Sequence, residues 1–205
     1  MLAIVDYGMG NLRSVQKAFA TVGAAASIVR APEQLKQADR LVLPGVGAFG
    51  DAMRILRETG LAQAVVDFVR TGRPFLGICL GLQLLFETGF EDGRQPGLGV
   101  IAGECIRLCV DEPPLHLKVP HMGWNALTFQ KHSQLWQGLT PGCHAYFVHS
   151  YHVKPADAAV VAAFTEYGIP IVAAIEKDNI VATQFHPEKS QTVGRIILKN
   201  FADIR

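Results

Sequence analysis

With 205 residues the chain can bury one large core or two small ones, and nothing in its length calls for a second domain. Its 19 Lys and Arg offset 18 Asp and Glu, so no net field draws in nucleic acid, an anionic membrane or a polyacidic partner, which leaves small molecules and protein as expected partners. Cys79, Cys105, Cys109 and Cys143 are irregularly spaced in a chain able to build its own core, which argues against a disulfide scaffold and for a reducing cytoplasm.

The opening "MLAIVDYGMG" lacks a basic leader, and Asp6 interrupts its apolar run, so it reads as a first core strand rather than a signal peptide. No run approaches the roughly 20 apolar residues that span a bilayer. "GMGNLR" at 8 to 13 invites a dinucleotide-binding reading, but Arg13 stands where the third glycine belongs; a tight strand-to-helix turn fits better. Val15, Ala18, Phe19 and Val22 then recur at helical spacing and stop at Gly23. "SIV" at 27 to 29 and "LVL" at 41 to 43 are further strand-like runs. "LPGVGAFGDAM" at 43 to 53 carries Gly45, Gly47 and Gly50 into another helical stretch, and such a loop can aim backbone N–H groups at an anion. Leu61, Ala64, Val65, Phe68 and Val69 form a second helical face before Gly72 and Pro74.

"RPFLGICLGLQLLFE" at 73 to 87 places Cys79 between a strand-like and a helix-like run, with Gly77 and Gly81 two residues to either side. Strand, Gly-x-Cys-x-Gly, helix is a nucleophile elbow with cysteine in the serine position. Glycines are needed because strand, helix and substrate all approach the backbone there. A helix N-terminus at the thiol favours thiolate, and the Leu80 amide is placed to face a developing oxyanion. Most free cysteines are buried small hydrophobes, but chance glycines at both flanks of a given cysteine arise only about once in a hundred.

The second half differs. Residues 97 to 130 are rich in Gly and Pro, and "AAVVAAFTEYGIPIVAAIEKDNIVATQF" reads as three strands turned at Gly168 with Pro170 and at Asp178 with Asn179, an antiparallel meander. The chain closes on a helix with Ser190 as N-cap and Val193, Ile196, Ile197 and Phe201 on one face. Alternating strands and helices in the first half predict parallel strands with crossover helices, an α/β sandwich.

A thiol nucleophile needs a base, and "QFHPEKS" at 184 to 190 offers His186 with Glu188 two residues on. Pro187 biases His186 toward extended backbone, where residues i and i+2 share a side, so Glu188 can hold one imidazole nitrogen while the other faces the thiol. The remaining histidines, His116, His121, His132, His144, His149 and His152, are assigned surface or core roles. His149-x-x-His152 lacks a third ligand and Cys105-x3-Cys109 a second pair, so no metal and no cofactor are expected.

"GICLGLQLLFE" with "QFHPEKS" resembles the Cys-His-Glu triad of the class I glutamine amidotransferases, along essentially the whole chain. "DYGMGNLRSV", "PHMGWN" at 120 to 125 and "YFVHSY" at 146 to 151 resemble, within that family, the glutaminase subunits of imidazole glycerol phosphate synthases of histidine biosynthesis. The resemblance implies one domain over 1 to 205, α/β and flavodoxin-like, its mostly parallel central sheet flanked by helices and extended by antiparallel strands in the second half. It implies Cys79 as nucleophile, His186 as general acid/base and Glu188 as its orienting carboxylate. Gln83, Ser150 and Tyr151 would hold glutamine, and Gly45, Val46 and Gly47 would complete the oxyanion hole with Leu80. Trp124, Asn125 and Lys189 would lie near a partner interface.

The implied reaction passes through a γ-glutamyl thioester to glutamate and ammonia. Because free ammonia is protonated in neutral water, the resemblance also implies a heterodimer with a (β/α)8 cyclase subunit that consumes it. The glycine-rich loop is expected to become productive only when that partner and its substrate are bound. Rival readings are a glutaminase subunit of anthranilate or aminodeoxychorismate synthesis, a non-catalytic regulator with the same fold, and a stress-type cysteine hydrolase or redox sensor.

Overall fold

A computed structural model describes residues 1 to 204. In chain order the elements are β1 (Leu2–Val5), α1 (Leu12–Thr21), β2 (Ala26–Val29), α2 (Pro32–Lys36), β3 (Arg40–Gly45), α3 (Phe49–Glu58), α4 (Leu61–Arg70), β4 (Phe75–Cys79) and the single turn α5 (Leu80–Gln83). There follow β5 (Phe86–Gly89), β6 (Gln95–Pro96), β7 (Ile101–Arg107), β8 (His121–Ala126), β9 (Thr128–Phe129), β10 (His144–His149) and β11 (Tyr151–Pro155). The chain ends with β12 (Val161–Glu166), β13 (Pro170–Lys177), β14 (Ile180–Thr183) and α6 (Gln191–Asp203).

The main sheet has the order β2-β1-β3-β4-β14-β13-β12-β9. Its first five strands run parallel, and β13, β12 and β9 extend it antiparallel. The expected meander is therefore present, but its last strand docks beside β4 and joins the two halves into one sheet. A ribbon of β8 and β10 and a second sheet of order β11-β7-β5-β6 complete the fold.

The continuous apolar runs of β1, β3 and β4 follow from burial on both faces. Ala3, Val5, Leu41, Leu43 and Phe75 point into one core layer with Phe49, Met53 and Phe68. Leu2, Ile4, Val42, Leu76 and Ile78 point into the opposite layer with Val15, Phe19, Ile197 and Phe201. So α3 and α4 cover one face, α1 and α6 the other, and burying each of these phenylalanines contributes about 1.5–3 kcal/mol. Among the described residues no helix is long and apolar enough to cross a membrane.

Two local expectations need correction. The apolar run after Cys79 is not a long helix: α5 lasts four residues, because Phe86 and the residues after it pair with β7 in the second sheet. Ser190 precedes α6 but makes no side-chain cap; its hydroxyl instead donates to the His186 carbonyl at 2.7 Å and accepts from the Tyr146 amide at 2.9 Å.

Candidate active site

Three adjacent parallel strands converge on one edge. In register, Gly45 at the end of β3 lies opposite Cys79 at the end of β4, and Ile78 lies opposite Thr183 at the end of β14. His186 follows β14 by three residues, so Cys79 and His186 sit side by side outside the carboxyl ends of neighbouring strands, where open α/β sheets form their crevices.

Cys79 adopts φ 54° and ψ −105°, a left-handed conformation that is strained for a residue with a side chain. The neighbouring glycines allow the turn. A Cβ on Gly81 would lie 1.8 Å from the Leu43 carbonyl oxygen, and one on Gly77 would lie 2.9 Å from the Gly81 carbonyl oxygen. The elbow is therefore pressed against β3 with no room for a methyl group. Because α5 is a single turn, little macrodipole acts at Cys79.

His186 Nδ1 is 2.7 Å from Glu188 Oε1, and both side chains are 3 % exposed. His186 itself is extended, as Pro187 favours, with φ −98° and ψ 98°, but the segment does not stay extended through Glu188: Pro187–Lys189 forms a 3-10 turn, and it is this turn that brings the carboxylate back to the imidazole. The backbone is tied down by His186 N donating to Tyr146 O at 2.9 Å. His186 Nε2 is buried without a hydrogen-bond partner, and Cys79 is the neighbour that acts on the imidazole besides Glu188. Burial alone would lower the His186 pKa; the Cys79 sulfur and the Glu188 carboxylate override it and push it up to about 10. The site thus favours an imidazolium next to the thiol sulfur.

Cys79 and His186 open into a cavity of about 510 Å³ that also presents Val46, Gly47, Leu80, Gln83, Ser150 and Tyr151. Every residue expected to act on substrate except Gly45 and Glu188 lines it; Gly45 lies in the strand beneath, with the Tyr7 hydroxyl and Leu80 where its Cβ would be, and Glu188 stands behind His186. Gly47 has φ +94°, and the Met9 side chain fills the position of its missing Cβ. The "DYGMGN" segment thus braces the glycine loop, the use that its strand-to-helix turn serves. A wider groove of about 990 Å³ beside Phe129 and Trp136 has its Ser133 engaged in capping the Leu135 amide, so size does not mark the reactive site.

Three residues at the site were not anticipated. Gln184 donates toward Cys79 Sγ at 3.7 Å and accepts from Gln83 Nε2 at 3.2 Å. Glu91 lines the cavity while its Oε2 accepts from the Phe49 amide at 2.7 Å, the first residue of α3. His149 also lines the cavity. Gln184 belongs to the same short segment as His186, a signal within reach of sequence reasoning; Glu91 arrives through the second sheet, which no local pattern announces.

Of the residues expected at a partner interface, Trp124 and Lys189 come together on an exposed face. Trp124 packs edge-on against Tyr146 at 6.0 Å, and Lys189 Nζ sits 5.7 Å over the Tyr146 ring. Asn125, alternating to the other side of β8, turns inward to the Glu166 carbonyl and to His121. Cys105 is buried, Cys143 half-buried and Cys109 exposed, all as free thiols; burial pushes the Cys105 thiol up.

The class-I glutamine amidotransferase family model matches residues 3 to 204. Imidazole glycerol phosphate synthase subunit HisH of Syntrophotalea carbinolica is 54% identical over 206 residues, covering 100% of both chains. The protein of that name from Aquifex aeolicus is 53% identical over 97% of this chain and 94% of its own. Among solved structures, PurLQS from Thermotoga maritima superposes with a TM-score of 0.75 at 18% identity, over 98% of this chain and 94% of that one. A glutamine amidotransferase crystal structure gives 0.73 at 23%, over 98% and 99%; at these identities the likeness is one of fold. The chain belongs to the class-I glutamine amidotransferases, in the group of imidazole glycerol phosphate synthase HisH subunits.

Proposed function

We propose that this chain, acting as one domain over residues 1 to 205, is the glutaminase subunit of an imidazole glycerol phosphate synthase. In this reading it hydrolyses glutamine and hands ammonia to a cyclase subunit. The observation that carries the reading is a strained Cys79 beside the buried His186–Glu188 pair, at the mouth of a cavity sized for an amino acid. The curated relatives, similar over full length, supply the pathway.

Cys79 attacks the side-chain amide carbon of glutamine while its proton resides on His186. The oxygen of the tetrahedral intermediate is held by the Leu80 amide and by an amide of the loop at Gly45, Val46 and Gly47. His186 then protonates the departing nitrogen, ammonia leaves, and a γ-glutamyl thioester remains; water attacks it with His186 as base, releasing glutamate and restoring the thiol. Glu188 holds the imidazole in orientation and balances its charge. Gln83, Ser150 and Tyr151 hold the substrate, and Glu91 is a carboxylate placed to meet its α-ammonium group.

Gly47, with its positive φ, lets the loop turn a peptide at low cost, so the second oxyanion donor is set by a partner pressing on the face that carries Trp124 and Lys189. The partner is a (β/α)8 cyclase in a heterodimer, and the pair works in the cytoplasm. The test is glutamate release by the chain and its Cys79→Ala variant, with and without the cyclase and its nucleotide substrate. Activity confined to the full complex and lost in the variant is expected; activity that survives Cys79→Ala refutes the thiol mechanism.

A further inference from the structure

The cavity wall at His149 is not an isolated side chain. His149 Nδ1 lies 2.9 Å from the Tyr151 carbonyl oxygen, His149 Nε2 lies 3.0 Å from His121 Nδ1, and His121 Nε2 lies 3.2 Å from Asn125 Nδ2. A carbonyl oxygen only accepts, so His149 Nδ1 carries a hydrogen; neutral His149 then accepts at Nε2, His121 donates from Nδ1 and accepts at its own Nε2, and Asn125 donates. The direction is fixed at the far end as well. The Asn125 amide nitrogen also donates to Glu166 O at 2.8 Å, and its oxygen accepts from the Ala126 amide at 2.8 Å, so a flipped amide would set oxygen against oxygen.

Nothing in the thioester chemistry uses this row, yet it ends at the cavity. His121 and His149 face each other as a cross-strand pair of β8 and β10, both are buried, and His121 stacks on Phe147 and on Tyr167 at 4.9 and 4.2 Å. The Tyr151 carbonyl that receives the last hydrogen also accepts from Gln83 Nε2 at 3.0 Å, so one oxygen ties together the row and two of the residues assigned to glutamine. An imidazolium at either histidine would bring two N–H groups face to face, and burial accordingly holds both pKa values down, His121 to about 4 and His149 to about 3.

We propose that Asn125, His121 and His149 form a neutral, one-directional hydrogen-bond row that positions Tyr151 and Gln83 for the substrate, making Asn125 and His121 positioning residues for glutamine. The proposal rests on the glutaminase reading for its kinetic consequence, but not for the hydrogen-bond direction itself. Without the row the His149 ring is free to turn into the cavity, and the carbonyl shared with Gln83 loses its second donor.

The test uses the full complex with its cyclase. His121→Phe keeps the stacking and removes both hydrogen bonds; Asn125→Asp replaces the donor by an acceptor; His121→Asn keeps a donor near the position of Nδ1. The KM for glutamine is expected to rise about tenfold in the first two, with kcat changing less than about threefold, and His121→Asn recovers part of the loss. Histidine nitrogen resonances of the wild type should hold His149 with Nδ1 protonated and Nε2 bare from pH 8 to 5.5, and His121→Phe should release that tautomer. An unchanged KM with an unchanged His149 spectrum, even if the variant melts earlier, overturns the proposal. A wild-type complex that releases no glutamate overturns the glutaminase reading instead, and the His149 spectrum then judges the row alone.

Discussion

Gly81→Ala is the sharpest perturbation the elbow offers. The new Cβ would stand 1.8 Å from the Leu43 carbonyl oxygen, where contacts below 3.0 Å are essentially never seen, so the two backbones must part by about 1.2 Å. Neither side yields cheaply: Leu43 is in the middle of a core strand and Gly81 is the second residue of the single helical turn directly after Cys79. Overpacking of this kind costs about 1–3 kcal/mol of stability, and displacement of a nucleophile by about 1 Å costs on the order of 10²-fold in rate. Glutamate release by the cyclase complex reads the second effect and urea unfolding the first. Gly50→Ala is the control, since its methyl meets only the Gln95 side chain, at 3.4 Å, from within α3; it should be neutral or stabilise by about 0.5–1 kcal/mol. A Gly81→Ala protein with rate within threefold of wild type and unchanged stability would show that the contact with β3 does not hold Cys79 in place.

Gly194→Ala in α6 would place a methyl 1.8 Å from the Pro187 carbonyl oxygen, displacing the turn that carries His186 and Glu188; a fall of at least about tenfold in glutamate release is expected although the site itself is untouched. His186 has a folded-state pKa above its unfolded value, so its proton contributes stability that is fully present below about pH 6.5 and lost as the pH rises through about 10. Denaturation of wild type and His186→Asn should therefore show a stability gap that narrows between pH 7 and 10. His121 and His149 have the opposite sign: their folded-state values are depressed, so stability is present above about pH 6.5 and lost as the pH falls toward 4. His121→Phe should lose less stability than wild type between pH 7 and 5, and an equal loss would remove the row as the source.

Much of the molecule was legible because its signals are local. The runs at β1, β3 and β4 are apolar without alternation since both faces of those strands are covered, and the pair of glycines around Cys79 declares a backbone position where side chains cannot fit. His186 and Glu188 are neighbours in the chain, so their pairing needed only the right local geometry, an extended His186 followed by a 3-10 turn. Sequence by itself therefore determined the parallel α/β half and singled out Cys79 and His186 as candidate nucleophile and base.

Tertiary structure alone decided the rest. No periodicity places β14 beside β4, yet that pairing is what sets His186 against Cys79 across more than a hundred residues. The length of α5 was decided by the second sheet, which takes the chain from Phe86 onward and delivers Glu91 to the cavity. Ser190, a good N-cap by type, was drawn to Tyr146 and His186, and two histidines with no motif between them became one hydrogen-bonded pair through the register of β8 and β10. Local patterns record what a segment must bury or how it must turn, whereas strand order and register are selected by the packing of whole layers, and the finer geometry of this site is written at that level.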